Sequence, residues 1–441
     1  MNNKLTIGNA IIYAGNNLDI LPTLADNSVD SIVCDPPYEL GFMGKSWDNS
    51  GIAYNVELWQ ECLRVLKPGG HLLAFGGTRT WHRLAVAIED AGFEIRDNIA
   101  WLYGSGFPKS HNISKAIDKA AGAERTVVGQ TMASPKGISQ AEGRTDTAAG
   151  AYGGESKLID ITAPATDEAK AWDGWGTALK PAHEPIVVAR KPVEGTVAEN
   201  VLKHGVGALN IEATRIGNEG GKTIHTKSNG NSRKEWTGNT VTGEVTDNGG
   251  RWPANIILDE YTAELLDQQS GVSKSLAHNK PHDTKWGFGV GNDNSKQYDY
   301  ETGRTGYSDV GGASRFFYVA KANKRDRNEG LDELPDQILT GRDEGQDERQ
   351  VPYKTRSNPV KNTHPTVKPT ALMQYLIRLV TPENGIVLDP FCGSGSTGKA
   401  AILENKKFIG IELTPEYLPI IAGRLEHAYE TINNKEADLF E

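Results

Sequence analysis

The sequence predicts an α/β fold in which both ends of the chain build one mostly parallel sheet around a long irregular middle. Three observations carry this. Strand-like and helix-like periods alternate over residues 1–103. They alternate again over residues 361–441. Residues 104–360 are rich in Gly, Asn, Thr and Ser and show few helical periods. Alternation of the two periods means parallel strands covered by helices on both faces. Neither end holds enough strands for a complete sheet, so a shared sheet with the middle inserted is the economical arrangement. At 441 residues the chain is longer than one ordinary domain, as such an insertion requires.

The elements follow in order. Residues 29–34 are a short β-rich run that Asp35-Pro36-Pro37-Tyr38 stops, because two prolines forbid both helix and ladder. Apolar residues at helical spacing fill 56–66, and Lys67-Pro68-Gly69-Gly70 ends them. Residues 71–75 read as a buried strand followed by Gly76-Gly77. Residues 81–91 are helical with Gly92 as C-terminal cap, and 93–102 form another strand. In the middle, strand-like pieces occur near 184–190, 252–258 and 314–320. Further on, 367–380 is a helix, 385–388 a strand, and 389–398 a glycine-rich turn. Residues 399–404 continue as helix, 407–412 form a strand ending in an acid, and 415–429 form a closing helix.

Composition narrows the function classes. With 47 basic and 57 acidic residues the net charge is −10, which argues against coating nucleic acid by bulk attraction but leaves room for a local basic groove. No run of 18 apolar residues exists to span a bilayer, and Met1-Asn2-Asn3-Lys4 lacks the apolar core of a signal peptide. Three widely spaced cysteines, Cys34, Cys62 and Cys392, exclude a disulfide framework and a CxxC metal site, and point to a reducing, cytoplasmic compartment. His225, His278 and His282 have no partner cluster, so no metal is expected. Residues 351–382 contain no acid but carry Lys354, Arg356, Lys361, Lys368 and Arg378, and Arg315, Lys321, Lys324, Arg325 and Arg327 precede them. Such blocks read as solvated surface or as a phosphate-contacting face.

Two motifs carry chemistry. Gly393-Ser394-Gly395-Ser396-Thr397-Gly398, between a strand and a helix, is a place where backbone approaches a ligand closely. As text it matches the G-x-G-x-x-G dinucleotide fingerprint, so a nicotinamide or flavin enzyme and a purely structural turn both stay open. Asp389 at the strand tip would face a pyrophosphate badly, yet suits a cationic ligand such as an amino group or a sulfonium. Glu412, ending the next strand, is placed to accept ribose hydroxyls. Cys392 reads as a small packed residue of the turn rather than a nucleophile.

The second motif, Asp35-Pro36-Pro37-Tyr38, is either a turn with a capping aspartate or a device for activating an amine. An exocyclic amine on a base is a poor nucleophile because its lone pair is delocalised into the ring. Asp35 and the Pro36 carbonyl are acceptors able to fix both amine hydrogens, the prolines hold the turn rigid, and Tyr38 offers a face on which an extruded base can stack. His183 and Glu184 either border such a pocket or serve at a strand end. A cytosine C5 reaction would need a cysteine after a proline in its catalytic loop, whereas Cys34 precedes Asp35.

Asp35-Pro36-Pro37-Tyr38 together with Asp389-x-Phe391-x-Gly393-x-Gly395 resembles the S-adenosylmethionine-dependent DNA amino-methyltransferases, the N6-adenine/N4-cytosine family. His364-Pro365-Thr366-Val367-Lys368-Pro369 is similar to the family's cofactor motif at that place, and residues 16–21 to the segment whose acid, here Asp19, reaches the cofactor's adenine. Catalytic half first, insert second and cofactor half third is the circularly permuted β order. The resemblance covers about residues 8–103, 180–192 and 362–428, and pieces of the middle look like phage and prophage members.

The resemblance implies a Rossmann-like, seven-stranded methyltransferase sheet with a large irregular insertion. Residues 1–103 form its catalytic half and 361–441 its cofactor half; 104–360 form the insert, with a strand returning near 184–190. It implies methylation of the N6 amine of adenine in double-stranded DNA by Asp35, Pro36, Pro37 and Tyr38, because aspartate rather than serine stands first. N4 of cytosine is the alternative, and an inactive nucleic-acid-binding relative a more remote one. Cofactor contacts fall to Asp19, Thr366, Lys368, Asp389, Phe391, Cys392, Gly393, Gly395, Thr397 and Glu412. The insert is expected to choose the target sequence, with Arg315, Lys321, Lys324 and Lys354 on phosphates. A homodimer and a partner restriction endonuclease are compatible with this reading; a membrane and a metal are not part of it.

Overall fold

A computed structural model describes residues 4–40, 46–104, 106, 110–133, 157–217, 250–274, 310–321, 326–337 and 361–438. The expectations placed on Lys324, Lys354, His225, His278 and His282 lie outside these residues. Ten strands form the main sheet among the described residues: β1 (Lys4–Ile7), β2 (Ala10–Ala14), β3 (Val29–Cys34), β4 (Leu66–Phe75), β5 (Glu94–Leu102), β6 (His183–Arg190), β7 (Ile256–Asp259), β8 (Tyr318–Ala320), β9 (Ile386–Asp389) and β10 (Lys407–Glu412). Their spatial order is β1-β2-β10-β9-β3-β4-β6-β5-β7-β8. Only β1 and β6 run against the rest.

Both ends of the chain therefore share one sheet. Strand β3 pairs in parallel with β9, from the far end of the sequence, and with β4. The expected seven strands are present within this larger sheet. Seven contiguous strands, β2 to β5 across the sheet, are joined by β1, β7 and β8. Strand β1 folds back on β2 across Gly8-Asn9, with Gly8 at φ +52°. Strands β7 and β8 extend the sheet because the outer edge of β5 offers unpaired backbone groups, which the insert takes up. The strand-like pieces of the middle thus lie in the main sheet rather than apart from it.

Alternation along the central strands explains the two-sided core. Val33, Leu73 and Phe75 face one core layer, with α6 (Thr370–Val380), α7 (Ser396–Leu403) and α8 (Leu418–Asp438). Ile32, Cys34, Leu72 and Ala74 face the other, with α1 (Val56–Val65) and α2 (Trp81–Asp90). The remaining longer helices are α3 (Ile113–Ala120), α4 (Val197–His204) and α5 (Glu260–Ser270), all within the insert. Asn55 caps α1 by accepting from Leu58 N at 3.2 Å. The Lys67-Pro68-Gly69-Gly70 stop ends the helix as expected, but it continues as a bulge at the start of β4.

Helix α6 starts at Thr370, three residues later than the spacing suggested. Pro369 disfavours helical backbone at the residue before it, so the chain through Lys368 stays extended. That leaves the Lys368 side chain clear of the helix and able to cross to β3.

Candidate active site

The parallel strands end on one side, where Asp35 follows β3 and Asp389 and Glu412 close β9 and β10. A cavity of about 1340 Å³ opens there. It is lined by the whole Asp35-Pro36-Pro37-Tyr38 motif and by Thr366, Lys368, Asp389, Phe391, Cys392, Gly393, Thr397 and Glu412. Two sequence segments more than 300 residues apart thus meet at the carboxyl ends of neighbouring strands, where ligands of open α/β sheets bind.

Asp35 sits against a lysine. Lys368 Nζ donates to Asp35 Oδ2 at 2.7 Å and to the Tyr38 hydroxyl at 3.2 Å, and lies 3.3 Å from Glu184 Oε2. The Tyr38 hydroxyl donates to the same Glu184 oxygen at 2.8 Å. Burial pulls the Lys368 ammonium down, but Asp35 and Glu184 outweigh it and hold it above its ordinary range. Burial, with the two carboxylates, also pushes the Tyr38 phenol well up, so it remains a neutral donor. Asp35 Oδ1 is buried and has no hydrogen-bond partner among the described residues. Tyr38 is braced from behind, where Thr80 Oγ1 donates to its carbonyl at 2.8 Å. A side chain at Gly77 would press within 3.3 Å of Tyr38 Cβ.

The glycine turn is shaped by the two acids beside it. Thr397 Oγ1 and Phe391 N donate to the two oxygens of Asp389, at 2.5 and 2.9 Å. Gly393 N and Thr414 N donate to the two oxygens of Glu412, at 2.6 and 2.8 Å. Burial pushes the Asp389 carboxyl up to about 7, against the two hydrogen bonds and helped by Asp35 and Glu412. Burial likewise raises Glu412. Gly393, at φ +55°, carries no side chain where a Cβ would lie 2.9 Å from His364 Nε2. Burial lowers His364 to about 4, so its ring is neutral, with Nδ1 at 2.7 Å from the Thr366 carbonyl.

Some expected residues are not brought to the cavity. Asp19 lies exposed on the short helix Asn17–Ile20; its neighbours Asn16, Asn17 and Leu18 line the cavity instead, with Asn17 Nδ2 donating to the Pro390 carbonyl at 3.2 Å. Gly395 faces the helix layer, where a Cβ would meet Leu425 at 3.2 Å and Ile421 at 3.3 Å. Its positive φ of +75° starts α7 rather than opening space for a ligand. Arg315 spends its guanidinium on the carbonyls of Gly311 and Gly312 and on Ser273, and its charge lies over Phe316. It stands before the start of β8, away from the strand ends that bear the cavity. Lys321 follows the other end of β8 and is exposed.

Other cavity residues escape sequence reasoning. Arg327, legible only as part of a charge block, lines the cavity and donates to the carbonyls of Asn362 and His364, at 3.1 and 2.5 Å. Glu184 has two open readings in the sequence, and its contact with Tyr38 places it at the cavity. Among the described residues no group of three metal-ligating side chains occurs, and no helix is long and apolar enough to cross a membrane.

Comparison with known proteins gives a consistent picture. A family model described as DNA methylase, of the N6/N4 type, matches residues 29–423. DNA adenine methyltransferase YhdJ of Escherichia coli is 48% identical over 65 residues, which cover 15% of this chain and 22% of the relative. Type II methyltransferase M2.DpnII of Streptococcus pneumoniae is 47% identical over 68 residues, 15% of this chain and 25% of the relative. Type II methyltransferase M.HindIII of Haemophilus influenzae is 27% identical over 159 residues, 35% of this chain and 38% of the relative. The matched segments thus span less than two-fifths of each relative.

Proposed function

The chain belongs to the N6/N4 DNA methylase family, and on that premise we propose that it transfers a methyl group from S-adenosylmethionine to the exocyclic N6 amine of adenine in DNA. The observation that carries this reading is Asp35 Oδ1, a buried acceptor without a partner among the described residues, beside Tyr38 in the cavity that also contains the glycine turn. An amine hydrogen is the donor it lacks.

The residues present fit the cofactor. Glu412 suits ribose hydroxyls, Gly393 lines the cavity at the turn, and Asp389 would supply negative charge to a cation. When bound, S-adenosylmethionine supplies an electrophilic sulfonium methyl and keeps the broken C–S electron pair as a neutral thioether. The chain's own part is orientation. Asp35 Oδ1 and the Pro36 carbonyl accept the two amine hydrogens, which turns the nitrogen lone pair out of the ring system. Tyr38 holds the base by stacking. The nitrogen lone pair forms the new N–C bond, and the nitrogen then sheds one proton, for which the Asp35 carboxylate is the adjacent acceptor. Positioning of this kind supplies much of a barrier reduction.

Aspartate in the first place of the motif supports adenine over cytosine, as does the similarity to a DNA adenine methyltransferase of Escherichia coli. Nucleoside mass spectrometry of DNA treated with the protein and cofactor should show N6-methyladenine. N4-methylcytosine alone would assign the other amine. Target choice is assigned to residues 104–360, since the two ends are taken up by strands and covering helices, and base edges must be read by side chains in a groove. An insert exchanged with that of a relative of different specificity should carry the donor's target with it. An active chimera that still marks the original sequence would place recognition in the two ends.

A further inference from the structure

We propose that Lys368 and Glu184 are positioning residues of the methyl-transfer site: Lys368 clamps one oxygen of Asp35, and Glu184 fixes the Tyr38 ring through its hydroxyl. This rests on the DNA-methylating reading and extends it to two residues outside the Asp35–Tyr38 motif. Sequence order puts Lys368 with the cofactor and leaves Glu184 undecided.

The geometry argues for a clamp. Three elements converge on one ammonium: the end of β3 through Asp35, the start of β6 through Glu184, and the extended chain before α6. The Lys368 side chain is only 8% exposed, so water does little to screen its contacts. Its three N–H donors have three acceptors within 3.3 Å: Asp35 Oδ2, the Tyr38 oxygen and Glu184 Oε2.

The clamp has a chemical consequence. A free carboxylate beside an amine could turn and accept both amine hydrogens in the plane of the base. That geometry would keep the lone pair delocalised. With Oδ2 held by Lys368, only Oδ1 remains for the amine, so the second hydrogen must go to the Pro36 carbonyl on another side. The lone pair is then directed out of the ring plane. Glu184 does the equivalent for Tyr38. By accepting from its hydroxyl at 2.8 Å it limits the swing of the ring against which the base stacks. One ammonium between two carboxylates leaves a net negative site, which suits a reaction that starts from a cationic donor and leaves a proton on nitrogen.

The experiment compares wild type with Lys368→Met, Glu184→Gln, Glu184→Leu, Tyr38→Phe and the Tyr38→Phe/Glu184→Leu double variant. Single-turnover tritium transfer to unmethylated bacterial genomic DNA is measured at saturating S-adenosylmethionine, and cofactor affinity by calorimetric titration. Melting curves check folding. Lys368→Met should slow transfer about 100-fold while cofactor affinity stays within about threefold, the pattern of lost positioning rather than lost binding. Glu184→Gln, which still accepts from Tyr38, should retain most of the rate. Glu184→Leu should lose about tenfold, and the double variant should lose clearly less than the product of the two single losses, because both changes remove the shared Tyr38–Glu184 contact. Should Lys368→Met fail to fold, Lys368→Gln takes its place with the same expected pattern.

Weakened cofactor binding in Lys368→Met, with the saturated rate unchanged, would return Lys368 to the cofactor and overturn the clamp. Additive losses at Tyr38 and Glu184 would overturn the second contact. A wild-type protein that transfers nothing to DNA would remove the underlying reading and this inference with it, an outcome separable from the other two.

Discussion

Replacing Asp389 with asparagine should stabilise the ligand-free protein at neutral and alkaline pH, and the gain should fade in acid. The carboxyl is held at about 7 in the folded chain against an ordinary 3.8. Between those values the folded state keeps a proton that the unfolded state has released, so stability falls as pH rises through the window. Three units at 1.36 kcal/mol each amount to about 4 kcal/mol of lost stability above pH 7. Asparagine escapes this cost and keeps the local bonds. Its carbonyl accepts from Phe391 N, and its amide donates to Thr397 Oγ1, which can rotate to accept. Urea unfolding of both proteins at pH 4 and pH 8 is the assay. The advantage of the Asp389→Asn variant over wild type should grow by about 3–4 kcal/mol between them. An equal difference at both pH values, or a less stable variant at pH 8, would refute the claim that this carboxylate ionises at a cost. The same substitution should weaken S-adenosylmethionine binding, since it removes the negative charge placed for a cation. Asp389 would then be a residue at which fold stability is given up for ligand binding.

Asp35→Ala should abolish tritium transfer to DNA while cofactor titration stays nearly intact, because Asp35 contacts Lys368 and not the glycine turn; appreciable activity would end its assigned role. Gly395→Val should lower stability rather than block the cavity. Its positive φ alone costs about 1–2 kcal/mol, and its side chain would press on Leu425 and Ile421. A variant with wild-type unfolding that fails only in cofactor titration would mean that the ligand lies over Gly395 after all.

What could be read from the sequence was what acts locally. Two prolines end a strand wherever they stand, so the Asp35-Pro36-Pro37-Tyr38 turn and its place after β3 were legible. Helix and strand periods placed most elements of both ends, and the shortage of strands at each end implied a shared sheet. Long-range pairing leaves no periodic trace. Nothing in the spacing reveals that Lys368 reaches Asp35 across 333 residues. The pieces at β7 and β8 looked like strands, but which edge they would join depends on the free edge of β5. Gly395 shows the opposite limit. A glycine pattern looks the same in sequence whether the missing side chain makes room for a ligand or, as here, for the start of a helix packed on its neighbours. Charge in sequence likewise says nothing of whether a guanidinium is already engaged by nearby carbonyls, as that of Arg315 is.

During synthesis on the ribosome, β3 emerges long before the strand that completes it. Asp30 accepts from the backbone of Ile386 at 2.7 Å, a contact between residues 356 positions apart. At about 5–20 residues per second, that separation is about 20–70 s of translation during which one edge of β3 has no partner. All six residues of β3 are buried in the finished sheet, four of them apolar (Val29, Ile32, Val33 and Cys34), so the waiting strand is open to mispairing. The nascent chain would benefit from a chaperone for that interval. It would also carry Asp35 and Tyr38 without Lys368, the glycine turn or Glu412, and so could not modify DNA beside the ribosome before its final strands are made.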